Sequence, residues 1–266
     1  MTAIPLPSPN VTIAGVSIDA LEFNAVVDAI AQHAESGGTP GYVVTPNAHH
    51  VVLYQRDTLL REIYRGAFLV VPDGVPLLWA AALVGTPLRG RVNGTDLTEA
   101  LCARAARDGL RVFFLGGRDG AALAAARHLT KKYPGLSICG TYCPPFGFEN
   151  DPAENACIRA AVAAAQPHLL FVGLGAPKQE YWMHRNLPQI GVPVAIGIGA
   201  SLEFLGGLVS RAPVWMQRVG LEWFHRLMSE PQRLWKRYVF GNATFCWLVI
   251  RQLFAGAAPN APIDRQ

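Results

Sequence analysis

Several short stretches of this chain hold residue types that move protons or hold anions, and each follows an apolar run. Asp73 sits in Pro72-Asp73-Gly74 at the end of the run Phe68 to Val71. A carboxylate held at a strand tip is placed to take a proton from a substrate hydroxyl, and its ordinary alternative is to cap a helix starting near Val75. Arg91, in Arg91-Val92-Asn93-Gly94-Thr95-Asp96, offers a planar fork that neutralises a phosphate, while Thr95 or Asp96 reads as a helix cap. Thr45 and Asn47, in Thr45-Pro46-Asn47-Ala48-His49-His50, supply a hydroxyl and an amide that orient a sugar or ribose. Asn47 is equally suited to cap a helix. His49 and His50 are adjacent and so point to different sides of a helix, which argues against a shared metal.

The densest stretch runs from Val172 to Trp182, Val-Gly-Leu-Gly-Ala-Pro-Lys-Gln-Glu-Tyr-Trp. Pro177 suits a first helical turn, so Gln179 is expected on the ligand side, with Lys178 or Glu180 in surface or inter-element ion pairs. Trp182 fits core packing or a stacking platform. Gly116 and Gly117 open a turn, Gly116-Gly117-Arg118-Asp119-Gly120, that leads into a helix. Such a turn lets backbone N–H groups approach a diphosphate, or is simply a tight turn. Neither the glycine fingerprint of dinucleotide binding nor the phosphate loop of ATPases occurs, which removes the main support for a nucleotide-dependent oxidoreductase.

These residues need strands and helices to hold them. Short apolar runs at Tyr42 to Thr45, Phe68 to Val71, Arg111 to Leu115, Ser137 to Gly140, Leu169 to Val172 and Val194 to Ile196 read as buried parallel strands. Helical stretches at Leu21 to Glu35, Val75 to Val84, Asp96 to Arg107, Ala121 to Tyr133, Pro152 to Ala165 and Pro177 to Asn186 separate them. A hairpin from Val11 to Ile18, turning at Gly15, precedes the first. The pattern is a doubly wound α/β sheet with helices on both faces, whose ligands bind beyond the carboxyl ends of the strands. With 266 residues, 51% of them hydrophobic and 16% charged, the chain can bury a sizeable core.

Charge is unevenly spread. From Arg211 to Phe254 there are seven basic residues (Arg211, Arg218, Arg226, Arg233, Lys236, Arg237, Arg251) against Glu222 and Glu230, a balance of +5, whereas the whole chain carries +4. Trp215, Trp223, Trp235 and Trp247 lie in the same stretch. Basic residues interleaved with tryptophan suit anionic lipid headgroups, and packing of a helical pair on the core is the plainer reading. No nucleic-acid motif accompanies the patch. The uncharged run Tyr238 to Ile250 is too short to span a bilayer, so peripheral attachment is the expectation. Five cysteines without zinc spacing read as reduced thiols in a cytosolic protein. The proline-rich start lacks the pattern of a secretory signal. On these grounds residues 1–210 form the α/β catalytic domain and 211–266 a C-terminal amphipathic appendage.

Six separated motifs, TPNAHH, VPDG, RVNGTDL, FFLGG, VGLGAPKQEYW and RAPVWMQRVGLEWFHRL, occur in this order from residue 45 to residue 227 and together resemble the WecG/TagA/CpsF family of bacterial glycosyltransferases. The resemblance implies a Rossmann-like fold and an inverting transfer without a bound metal or other cofactor. It also implies a UDP-sugar donor and a polyprenyl-diphosphate-linked sugar acceptor at the cytoplasmic face of the membrane. No Asp-x-Asp triplet occurs in the chain, in keeping with that expectation. Carried over by position, Asp73 is the catalytic base, Thr45, Asn47 and Gln179 hold substrate, and Arg91 balances diphosphate charge. On that reading Gly116 and Gly117 face the UDP diphosphate, and Arg211, Arg218 and Arg226 hold the acceptor's diphosphate. Pro144-Pro145-Phe146 departs from the family pattern, in which an aromatic residue is commoner. The transferred hexose is left open among N-acetylmannosamine, its uronic acid, glucose and related sugars. A second copy of the chain is an alternative cover for the Trp-rich tail, and a non-catalytic membrane-peripheral scaffold is the main alternative function.

Overall fold

The computed structural model describes residues 10–255, apart from the side chains of 218, 233 and 236–238. The proline-rich start, the end of the C-terminal segment and the Arg218 side chain therefore lie outside the described residues.

The centre is a six-stranded sheet of β3 (Gly41–Val44), β4 (Leu69–Val70), β5 (Arg111–Gly116), β6 (Ser137–Tyr142), β7 (Leu169–Gly173) and β8 (Val194–Gly197). Every neighbouring pair is parallel, in the order β4-β3-β8-β7-β5-β6. All six expected strands are present, shifted by no more than two residues at either end. An antiparallel hairpin, β1 (Asn10–Ile13) and β2 (Val16–Asp19), turns at Ala14 and Gly15, both at positive φ as a tight two-residue hairpin requires. The Asp19 carboxylate accepts the Val70 N–H at 2.7 Å, which clamps the hairpin to the edge strand β4.

Strand side chains alternate between two cores, as the two-residue period of a pleated strand demands. Val43, Val112, Phe114, Phe171 and Ile196 face one core, with α1 (Phe23–Ser36), α5 (Gly94–Asp108), α6 (Ala121–Lys132) and α9 (Ser201–Leu205). Val44, Phe113, Leu115, Leu170 and Val172 face the other. There they meet α2 (Ala48–Tyr54), α3 (Thr58–Arg65), α4 (Val75–Leu83), α7 (Pro152–Ala165) and α8 (Lys178–Ile190). Helices thus cover both faces of a parallel sheet, the doubly wound Rossmann-like arrangement.

The remaining helices are α10 (Val214–Arg218), α11 (Glu222–Ser229) and α12 (Pro231–Phe254). Phe245, Leu248 and Val249 of α12 are buried in the second core. Gln252 fastens the end of α12 to the hairpin, accepting from Ala14 N at 2.7 Å and donating to Thr12 O at 2.9 Å. Half of α12 therefore belongs to the core. Trp215, Phe224, Trp235 and Trp247 stay exposed. Among the described residues no helix is long and apolar enough to cross a membrane. All five cysteines are free thiols.

Candidate active site

The carboxyl ends of β3, β4, β5, β6, β7 and β8 open into one cleft of about 640 Å³. Thr45, Asn47, Asp73, Arg91, Gly117, Gln179 and Arg226 line it. Seven of the ten residues singled out from the sequence therefore converge on one site. Gly116 and Arg211 do not line it, and Arg218 is not described.

Asp73 is fixed from both sides. Its own N–H donates to Pro46 O at 2.8 Å, and the Val92 N–H donates to Pro72 O at 2.8 Å, so the loops after β3 and before α5 pin the aspartate between them. Asp73 does not cap α4, because Gly74 holds the cap position without a side-chain bond. Instead its Oδ1 accepts from Asn93 Nδ2 at 3.0 Å. Burial pushes the carboxyl up to about 6, helped by the charge of Glu222, while Arg91, the Asn93 hydrogen bond and His50 pull it down. A carboxylate with that proton affinity is still ionised at neutral pH and is a stronger base than an ordinary aspartate.

Asn93 is the residue that sequence reading passed over. It caps α5, accepting from Thr95 N at 2.9 Å, in place of the expected Thr95 or Asp96, and so the helix begins two residues early. The same Oδ1 accepts from Arg211 at 3.3 Å. Glu222 of α11 joins the arginines, binding Arg91 at 3.0 Å and Arg211 at 3.1 Å. Arg211 also grips Asp96 with two guanidinium nitrogens. Arg211 is thus a strut between α5 and α11 beside the cleft. A long-range ion pair of this kind leaves no trace in local sequence.

Three expected substrate contacts also serve the scaffold. Asn47 caps α2 through Oδ1, bonded to His49 N at 3.0 Å, which leaves its amide N–H₂ for a ligand. His50 completes that cap, accepting from Asn47 N at 3.3 Å, and its other ring nitrogen lies 3.4 Å from the buried Glu180. Thr45 Oγ1 donates to Gly197 O at 2.8 Å. Gln179, only 2% exposed, donates to Glu180 at 2.8 Å and accepts from Gly199 N at 3.0 Å, tying the loop after β7 to the loop after β8. Lys178 pairs with Glu149 as expected of it. Trp182 is core, its indole N–H donating to Asn155 at 3.1 Å.

The glycine turn after β5 has a packing reason. A Cβ at Gly116 would stand 2.6 Å from Gly173 O, and the Gly117 N–H already donates to that carbonyl at 2.8 Å. Gly117 nonetheless lines the cleft. Among the described residues the wall carries Arg91, Arg118, Lys178 and Arg226 together with Asp73, Glu149, Glu203 and Glu222. Arg226 sits 5.5 Å from the Phe204 ring centre, and Lys178 Nζ sits 5.3 Å from that of Phe146. Phe146, in the loop that departs from the family pattern, is fully exposed on the wall. Glu203 is a further unforeseen group: it is 9% exposed, lines the cleft, and its Oε2 has no partner. Among the described residues no group of three or more His, Cys, Asp or Glu side chains is placed to hold a metal ion.

A cleft at the carboxyl edge of a doubly wound sheet, lined by cations and carboxylates with one half-buried aspartate of raised proton affinity, defines a Rossmann-like protein with its ligand site at the strand ends. Residues 11–259 match the model of the glycosyl transferase WecG/TagA/CpsF family, and the chain belongs to that family. Curated relatives carry the name N-acetylglucosaminyldiphosphoundecaprenol N-acetyl-beta-D-mannosaminyltransferase. The Bacillus spizizenii protein is 31% identical over 82% of each chain. The Bacillus subtilis protein is 30% identical over 73% of this chain and 72% of its own. A Staphylococcus aureus protein is 28% identical over 85% of this chain and 86% of its own.

Proposed function

We propose that this protein is an inverting glycosyltransferase that moves a hexose, of the N-acetylmannosamine, uronic acid or glucose type, from a UDP-sugar to a saccharide on a polyprenyl diphosphate. The lipid-linked acceptor is supported by the relatives' names. The observation that carries the reading is Asp73, held by Asn93 and with Arg91 nearby, in a cleft at the carboxyl ends of the strands. Asp73 takes the proton of the acceptor hydroxyl as that oxygen bonds to the anomeric carbon. On the opposite face the bond from that carbon to the diphosphate oxygen breaks, and its electron pair leaves with UDP. Among the described residues Arg91, Arg118, Lys178 and Arg226 are the cations of the wall, and the first three meet the charge that develops there by exchanging Glu222, Glu230 and Glu149 for the diphosphate, in the role a metal takes in other sugar-nucleotide enzymes.

The amide of Asn47 and the partnerless Glu203 carboxylate offer a donor and an acceptor to sugar hydroxyls. The site acts at the cytoplasmic face of the membrane, where residues 211–266 bring the soluble core to its lipid-borne acceptor. A thermal-shift panel of UDP-sugars, followed by turnover on a polyprenyl-linked acceptor, tests the class. Stabilisation by UDP and UDP release that depends on acceptor and survives chelator are expected. Absence of UDP release with every sugar nucleotide would leave the scaffold reading in its place.

A further inference from the structure

Helix α4 runs through a stretch, Val75 to Leu88, without a single charged residue. Leu77, Ala80 and Ala81 face the core, and this leaves Val75, Trp79 and Leu83, spaced four apart, on one stripe. Trp79 is 54% exposed and Leu83 65% exposed. At its N-terminal end the stripe reaches the cleft, whose wall includes Val75 and Pro76. There it also meets the C-terminal helices: Gly220 lies against Val75 so closely that a Cβ would stand 2.8 Å from Val75 Cγ1. Next to that contact Val219, Trp215 and Val214 are exposed as well. Two apolar strips, one from the core and one from the C-terminal segment, therefore adjoin beside the cleft mouth, and the second lies in the stretch with a +5 balance.

We infer that the stripe Val75–Trp79–Leu83 is a second membrane foot, carried by the catalytic core itself, which rests on an anionic bilayer surface beside the C-terminal helices. The inference rests on the lipid-linked acceptor proposed above, whose polyprenyl tail leaves the cleft past Val75 and Pro76. Charge complementarity selects the occupant. Tryptophan beside a basic segment matches an anionic headgroup layer.

The test compares the full chain with its Trp79→Glu/Leu83→Glu variant in cosedimentation with phosphatidylglycerol-containing vesicles. Partition falls about tenfold or more in the variant, because two carboxylates meet an anionic apolar layer. Turnover of a water-soluble short-chain acceptor stays within about twofold, since neither side chain lines the cleft, while turnover of vesicle-borne acceptor drops with partition. A second readout needs no disruptive change: brominated acyl chains quench a share of fluorescence in the wild type that Trp79→Phe loses. Unchanged partition, or identical quenching in Trp79→Phe, overturns the inference. Loss of self-association in the variant at unchanged partition also overturns it, by assigning the stripe to a second copy. If wild-type protein turns over neither acceptor, the glycosyl-transfer reading fails, while partition and quenching still decide the membrane foot.

Discussion

At the scale of single residues, Asp73 is held in a state that costs stability. Its folded proton affinity, about 6, lies above the ordinary value of 3.8, so the native protein binds a proton before the unfolded chain does as pH falls from about 6 to 4. Stability from this group therefore rises as pH falls through that window, and at pH 7 the buried charge costs up to about 3 kcal/mol. Asp73→Asn is expected to lose a hundredfold or more in turnover, the contribution a general base makes at about 10² to 10⁴. The same variant should melt roughly 2 to 6 °C higher than wild type at pH 7, with the gap closing near pH 4. Lower stability at pH 7 would show that Asp73 is a structural anchor. Glu222 is one of the groups that raises Asp73, so Glu222→Gln should move the acid limb of the pH–rate profile down, by roughly half a unit to one unit. An unmoved limb separates Glu222 from the base. Of this set, Asp73, Arg91, Thr45, Asn47 and Gln179 were legible because each follows an apolar run in a glycine- or proline-marked turn. Asn93 and Glu222 were not, because their meaning comes from partners up to 131 residues away in the chain, and Glu203 was not, because only the folded cleft brings it to the wall.

At the scale of elements, the C-terminal segment divides its duties along α12. Leu248 is buried against α2 and the hairpin, while its neighbour Trp247 is 56% exposed. Leu248→Ala is expected to destabilise by about 2 to 4 kcal/mol and Trp247→Ala by less than about 1 kcal/mol, measured by chemical denaturation. Equal costs would mean that the exposed tryptophan is packed in solution. Removing everything after Arg211 would strip both core and cleft residues, so point changes are the sharper probe. Lipid attachment and core packing were weighed as alternatives on the sequence, and the residue pattern of α12 realises the second while leaving the exposed face for the first. Helices α3 and α9 escaped notice because they have only 8 and 5 residues, too short for periodicity to show, whereas α2 was signalled by its cap, Asn47. Pro188 hid the last turn of α8, which runs on to Ile190. The Gly116–Gly117 turn read either as an anion cradle or as a tight turn, and the close approach of β5 to β7 gives Gly116 a packing reason of its own.

At the scale of the whole molecule, six parallel strands point their carboxyl ends at one cleft, and that shared polarity assembles residues scattered from Thr45 to Arg226. The strand pattern was readable because buried parallel strands are short uninterrupted apolar runs. Strand order was not, since the pairing of β8 between β3 and β7 is a long-range choice. Val75, at the start of the α4 stripe, lines the cleft and lies against Gly220, so the proposed membrane foot and the proposed site adjoin. The most direct measurement is acceptor-dependent UDP release by wild type and Asp73→Asn with a polyprenyl-diphosphate-linked sugar and a panel of UDP-sugars. The account predicts release from one UDP-sugar by wild type and a loss of about a hundredfold or more in the folded variant. Near-wild-type release by Asp73→Asn would contradict it.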